Sequence, residues 1–134
     1  NLLLKGIMTA EDAAIALDYE VDGIIVSNHG GRQLESDLST IEVLEEISKT
    51  INGAIPILID GGIRRGTDIF KALALGATAV GIGRPYIYGL ATDGQAGVEM
   101  VLDILQNELV RNMQLAGATS ISKINKKHVQ EKKF

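Results

Sequence analysis

Four short apolar runs, each closed by a polar or glycine-rich turn, set the rhythm of the chain. They are LLLKG (Leu2 to Gly6), GIIVSN (Gly23 to Asn28), IPILIDGG (Ile55 to Gly62) and AVGIGRP (Ala79 to Pro85). None alternates with polar residues, the pattern of strands buried on both faces of a parallel sheet. A helical pattern follows each run. TAEDAAIALDY opens with Thr9 and Asp12 at capping-box spacing, and STIEVLEEISKTI opens with Ser39 and Glu42 at the same spacing and has Gly53 just past its end. GTDIFKALALGA stops at Gly76, and a last helix from about Gln95 to Ala116 stops at Gly117. That last helix repeats Val98, Val101, Leu102, Leu105, Leu109 and Met113 at helical spacing.

The pattern is therefore a βα unit repeated four times, which fits either an open doubly wound sheet or a (β/α)8 barrel. A whole barrel takes about 250 residues, so four units make about half of one. In barrels the chemistry lies on the loops at the C-terminal ends of the strands. Lys5, His29, Arg32, Asp60, Arg64 and Arg84 all fall at or just after those ends. The fold class expected is α/β, the last four βα units of a barrel. Residues 1–121 are expected to form that half-barrel, and residues 122–134 a lysine-rich, solvated and partly frayed tail.

At 134 residues the chain suits one ordinary domain, and 46% hydrophobic with 22% charged residues is the balance of a globular protein. With 13 Lys plus Arg against 17 Asp plus Glu, there is no basic field to hold nucleic acid. The absence of cysteine removes disulfides, thiolate metal sites and cysteine nucleophiles. No apolar run reaches the roughly 18 to 20 residues of a membrane span, and NLLLKGIM is too short for a signal peptide. The expected location is cytoplasmic. A start inside a strand, without methionine, marks the chain as a fragment or as the second half of something larger.

Two glycine-rich loops after consecutive strands, DGGIRRG (Asp60 to Gly66) and GIGRP (Gly81 to Pro85), read as a phosphate site. Glycines let backbone N–H groups approach an anion, a following helix N-terminus adds its dipole, and Arg64 and Arg84 offer planar donors to phosphate oxygens. In barrels this site sits on the last two strand–helix connections. These features alone leave open a mononucleotide, a flavin or a sugar phosphate.

SNHGGRQL (Ser27 to Leu34) carries the second signal. Imidazole titrates near neutrality, so His29 at a strand end suits a general base. Arg32 suits a bidentate grip on a carboxylate, and Gly30 with Gly31 lets a small substrate reach the backbone. A base beside a carboxylate clamp fits proton removal from a 2-hydroxy acid. Lys5 at the end of its strand is expected as a partly buried cation that needs an anion nearby, with Ser27 in the same layer. His128 in the tail is expected to be solvated, and Tyr86 and Tyr88 are assigned to packing.

With these residues in view, the chain resembles the C-terminal half of the FMN-dependent 2-hydroxy-acid oxidases and dehydrogenases, the family of glycolate oxidase, lactate oxidase and the flavocytochrome-type L-lactate dehydrogenases. SNHGGRQL and DGGIRRGTDIFKALALGA carry the resemblance, which runs from LLLKGI to about NMQLAGATSI. It implies FMN as cofactor and oxidation of a small L-2-hydroxy acid, of the lactate or glycolate class, to the 2-oxo acid. It further implies His29 as catalytic base, Arg32 as carboxylate clamp, and Lys5 and Ser27 as flavin contacts. Asp60, Gly61, Gly62, Ile63 and Arg64, with Gly83 and Arg84, would hold the ribityl chain and phosphate. Where the family continues QLD-G-x-P, this chain has QLESDL, with Ser36 and Leu38 in place of glycine and proline.

The resemblance also implies what is missing: the first four strands, with further flavin contacts, the carboxylate that orients the histidine, a second arginine and active-site tyrosines. An N-terminal half or a second copy is the expected partner, and oxygen, a quinone or a cytochrome the expected electron acceptor. The alternatives are a catalytically inactive half-barrel that keeps only the phosphate loops, and another phosphate-dependent barrel such as a diphosphate isomerase. The latter has no use for a base paired with a carboxylate clamp.

Overall fold

The computed structural model describes residues 1–34 and 37–130; Glu35 and Ser36, where the chain departs from the family pattern, lie outside them. Strands and helices alternate as β1 (Leu3–Ile7), α1 (Ala10–Asp18), β2 (Gly23–Val26), α2 (Thr40–Ile51), β3 (Ile57–Ile59), α3 (Gly66–Ala74), β4 (Ala79–Val80) and α4 (Arg84–Ala116). All neighbouring strands are parallel and pair in chain order, with Lys5 opposite Ile25, Ile25 opposite Leu58 and Leu58 opposite Ala79. Sequential parallel strands joined by right-handed crossovers put every helix on the same face of the sheet. This is the α/β arrangement of consecutive units in a (β/α)8 barrel.

Helices α1 and α2 begin where local chemistry supplies a cap. Thr9 accepts the Asp12 amide at 3.1 Å through its hydroxyl, and the Glu42 carboxylate accepts the Ser39 amide at 2.8 Å. The Ser39 hydroxyl and amide hold the Glu42 carboxyl below the usual carboxylate range. The core fills the space between helices and sheet: Ile24, Val26, Ile57 and Ile59 from the strands meet Ala13, Ala16, Leu44, Ile47, Ile51 and Ala72. Ile47 is fully buried at the centre of α2. Ile47→Ala is expected to lower the unfolding free energy by about 2–5 kcal/mol through lost transfer energy plus a cavity. Urea denaturation measures the change.

Among the described residues no helix covers the opposite face of the sheet. Ile25 and Leu58 are only half-buried, and at the β1 edge Leu3 is 47% and Leu4 40% exposed. Burial on both faces, expected from the unbroken apolar runs, thus holds only for the helix-covered face. The apolar second face is what a barrel interior requires, and four strands do not close one.

Two elements differ from expectation. The last helix extends back to Arg84, and its two limbs, residues 84–92 and 95–116, meet at a break where Asp93 (φ −151°) and Gly94 (φ 52°) leave helical geometry. The second limb has the predicted bounds; the first was assigned to no helix. Tyr86 and Tyr88, assigned to packing, are 39% and 62% exposed, because this limb turns its Gly89 side to its partner.

The tail does not fray over residues 122–130. Two 3-10 turns, Ile121–Lys123 and Lys126–His128, lay Ile124 into a small core with Phe70, Ala74 and Ala118. His128 is half-buried and stacks edge-on to Phe70 at 5.7 Å, and Lys126 pairs with Glu45. The fraying of residues 122–130 and the solvation of His128 are thereby corrected, while most of the segment stays exposed to solvent: Ile124, between the lysines, docks it on α3.

Candidate active site

The loops that follow the strands make one end of the sheet. Lys5, His29, Arg32, Asp60, Gly61, Gly62, Ile63, Arg64, Gly83 and Arg84 all line a single cleft there, of about 620 Å³. That volume lies within the range of about 300–1,000 Å³ for small-molecule sites. Among the residues singled out from sequence for the site, Ser27 is the one that does not line this cleft; it is 3% exposed, and Ile63, which does line it, is 5% exposed.

A charged network floors the cleft. The Lys5 ammonium donates to Asp60 Oδ2 and to Ser27 Oγ, each at 2.5 Å, and Ser27 Oγ donates to Asp60 Oδ1 at 2.6 Å. Lys5 lies on the bare face of β1 in register with Ile25, so its stem runs past the strand end to reach residues one step beyond β2 and β3. A break in the β1–β2 register between Lys5 and Ile7, at Gly6 (φ 102°), turns the strand just after it. The anion that Lys5 needs is present in the chain as Asp60. The Asp60 carbonyl in turn accepts the Thr40 hydroxyl at 2.6 Å, which ties the loop to the start of α2. Thr40 was not legible as a site residue; it lies 20 positions from its partner and carries no local motif.

The histidine loop is held by its own backbone. His29 (φ 58°), Gly30 (φ 71°) and Gly31 (φ 70°) follow one another in the left-handed region, a conformation cheap for glycine and tolerated by histidine. His29 N–H donates to Ser27 Oγ at 3.2 Å, and Asn28 Oδ1 accepts the Gly31 amide at 3.1 Å. Asn28 also donates to the Leu38 carbonyl at 3.0 Å, fastening the far side of the loop. The turn leaves the His29 and Arg32 side chains exposed at the mouth of the cleft.

The two glycine loops divide the anion chemistry unequally. At the start of α3, carboxylates of the chain itself take up the free amides. Asp68 accepts from the Arg64 and Arg65 amides at 2.9 Å each, and Glu108 accepts from the Gly66 amide at 2.7 Å. Glu108 also receives the Arg65 guanidinium at 2.8 Å. The helix end expected to face an external anion is therefore occupied. At the start of α4 no side chain caps Gly83, and Pro85 follows within the first turn. Gly61, Gly62 and Gly83 amides have no backbone partner among the described residues, and Gly62 and Gly83 each border open space where a Cβ would stand. Gly61 (φ 96°) is favoured by its left-handed backbone, and a Cβ there would make a tight contact of 3.0 Å with Thr40 Oγ1.

The Arg65–Glu108 pair gives a pH prediction. Arg65, and after it the Gly66 amide, hold the Glu108 carboxyl below the usual carboxylate range. A folded-state pKa below the unfolded value adds stability above the unfolded pKa, and that stability is lost as pH falls through the folded value. The melting temperature is expected to fall as pH drops from about 5 to 3, and Glu108→Gln to flatten that dependence while lowering stability at neutral pH. Thermal melts across that range measure both.

A family profile described as FMN-dependent dehydrogenase matches residues 1–131. The chain belongs to that family. Within it, the chain is 58% identical over 129 residues to a peroxisomal (S)-2-hydroxyacid oxidase of Arabidopsis thaliana, covering 96% of this chain and 36% of that protein. It is 60% identical over 124 residues to a 2-hydroxyacid oxidase of Dictyostelium discoideum, covering 92% of this chain and 32% of the other. Among solved structures it superposes on a putative lactate oxidase of Pediococcus acidilactici with a TM-score of 0.90 at 50% identity, over 92% of this chain and 34% of that one. A mandelate oxidase bound to benzoyl-formic acid gives a TM-score of 0.87 at 49% identity, over 90% and 36%. The chain thus spans about a third of the length of these FMN-dependent relatives. Among the described residues no helix is long and apolar enough to cross a membrane. The peroxisomal name of a relative lends no support to the cytoplasmic placement expected from sequence.

Proposed function

We propose that this chain is the cofactor- and substrate-gripping part of an FMN-dependent oxidase or dehydrogenase that converts a small L-2-hydroxy acid, of the lactate or glycolate class, to the 2-oxo acid. The observation that carries the reading is the convergence of a base, a carboxylate clamp, a lysine and two glycine–arginine loops on one cleft at the strand ends. The fit to FMN rests on donor chemistry: the α4 end is uncapped, the Gly62 and Gly83 backbones are open to an incoming group, and Arg64 and Arg84 flank them. Arg64, Arg84 and the Gly61, Gly62 and Gly83 amides would hold the phosphate. Ile63 and Asp60 would border the ribityl chain. Lys5 and Ser27 would meet the flavin.

Oxidation of a 2-hydroxy acid removes two electrons and two protons, and FMN, when bound, supplies the electron sink. His29 accepts a proton from the substrate, its loop fixed by the Ser27 and Asn28 hydrogen bonds. Arg32 fixes the substrate carboxylate by a two-pronged hydrogen bond, so that C2 and its hydroxyl are presented to His29. Lys5 keeps positive charge in the cleft, shared with Asp60 until a more demanding anion arrives. The bare sheet face and the β1 edge support a partner that completes the barrel, an N-terminal half or a second copy. The electron acceptor is oxygen, a quinone or a cytochrome.

The test joins the chain to the N-terminal part of the Pediococcus lactate oxidase, loads FMN, and mixes it without oxygen with L-lactate or glycolate. Loss of the oxidised flavin absorbance is expected. A chimera that holds FMN yet stays oxidised with every short 2-hydroxy acid supports instead the inactive half-barrel.

A further inference from the structure

We propose that Gly89 and Gly97 form a backbone lock that sets the position of the phosphate-holding end of α4, making them positioning residues for the cofactor site. The inference rests on the phosphate reading above. The two limbs of α4 fold back on each other across the Asp93–Gly94 break and touch at these glycines. A Cβ on Gly97 would lie 1.9 Å from the Gly89 carbonyl oxygen, and one on Gly89 would lie 2.4 Å from the Gly97 carbonyl oxygen. The obstacles are backbone atoms, so neither rotamer change nor a flexible side chain relieves them. Both glycines are buried, unlike most of the first limb.

The second limb is itself fixed to the sheet layer. Glu108 bonds to Arg65 and the Gly66 amide, and a Cβ on Gly66 would lie 2.3 Å from the Leu109 amide nitrogen. The chain of contacts therefore runs from α3 to the second limb, through Gly97 and Gly89 to the first limb, and ends at Gly83 and Arg84 in the cleft. Within the first limb only Pro85 and Gly89 are buried, while Tyr86, Ile87, Tyr88 and Leu90 are all exposed. A methyl group at the crossing pushes the limbs apart and carries Gly83 and Arg84 away from Gly61 and Gly62.

The test uses the whole chain, joined as above to the N-terminal part of the Pediococcus lactate oxidase. Amide hydrogen exchange is measured on the unaltered chain and on Gly97→Ala, and FMN and riboflavin affinities are titrated in parallel. Riboflavin lacks the phosphate, so the FMN-to-riboflavin ratio isolates the phosphate hold. Gly97→Ala is expected to speed exchange at residues 84–92 by at least about tenfold, leave β2 and β3 protected, and cut the ratio by at least about tenfold. Ile51→Val, a core change away from the crossing, is expected to leave the ratio unchanged. Should Gly97→Ala not fold, one glycine inserted after the exposed Gly94 shifts the same limb without a buried side chain, and the same two readouts apply. Unchanged exchange at residues 84–92 would overturn the lock. Faster exchange there with an unchanged ratio would overturn its link to phosphate. No FMN preference in the unaltered chain would overturn the phosphate reading itself, and the positioning role with it.

Discussion

Replacing His29 with alanine in the completed, FMN-loaded barrel lowers turnover with L-lactate or glycolate by about 10²–10⁴-fold, the range of a lost general base. FMN stays bound, because the groups proposed to hold its phosphate are Arg64, Arg84 and the Gly61, Gly62 and Gly83 amides and not the imidazole. The loop keeps its shape, since its fixing bonds come from the His29 amide, Ser27 and Asn28 and not from the ring. Alanine in the left-handed region costs roughly 1 kcal/mol, so His29→Asn, which tolerates that backbone, separates lost chemistry from strain. Both variants are expected to fall alike in kcat. Arg32→Lys is expected to raise KM, because an ammonium cannot reproduce the planar two-pronged grip on a carboxylate. Steady-state kinetics on the three variants check these outcomes. Wild-type kcat in His29→Asn would remove the base assignment.

The second large effect is on cofactor affinity. Arg84→Ala is expected to weaken FMN binding by about 10–100-fold and to leave riboflavin binding unchanged, as loss of a charge-assisted hydrogen bond of about 1.5–3 kcal/mol requires. Arg84 is singled out over Arg65, whose guanidinium is already spent on Glu108. Arg64 lines the same cleft but donates one guanidinium nitrogen to the Ile63 carbonyl at 3.0 Å, so Arg64→Ala is expected to cost less. Raising ionic strength should narrow the difference between FMN and riboflavin, since phosphate recognition at an exposed helix end is screened by salt. Calorimetric or fluorescence titration measures each case.

What the sequence disclosed, it disclosed through local pattern. Unbroken apolar runs ending in SNHGG, DGGIR and GIGR mark strands whose ends carry chemistry, and β2 and β3 stop just before Ser27 and Asp60. The helix ends were equally local: Thr9, Ser39 and Gly117 act within a few residues of the turn they close. What stayed hidden depends on distance along the chain. Glu108 reaches back 42 positions to the Gly66 amide, so the α3 end reads as an open anion site in sequence and is closed in the fold. The first limb of α4 has no helical signature in sequence because Gly83, Pro85 and Gly89 are poor helix-interior residues, yet proline suits a helix start and Gly89 is demanded by Gly97. The tail reads as solvated because its lysines outnumber the apolar residues, Ile124 and Val129, that dock it on α3 and α4.

The most direct measurement is a parallel titration of the purified chain with FMN and riboflavin, alone and after addition of an N-terminal half. The account predicts FMN binding at least about 100-fold tighter than riboflavin in the completed barrel, with the preference cut by about 10–100-fold in Arg84→Ala. Equal affinity for the two flavins would contradict it, because the loops at Gly61, Gly62, Gly83 and Arg84 would then not be holding a phosphate.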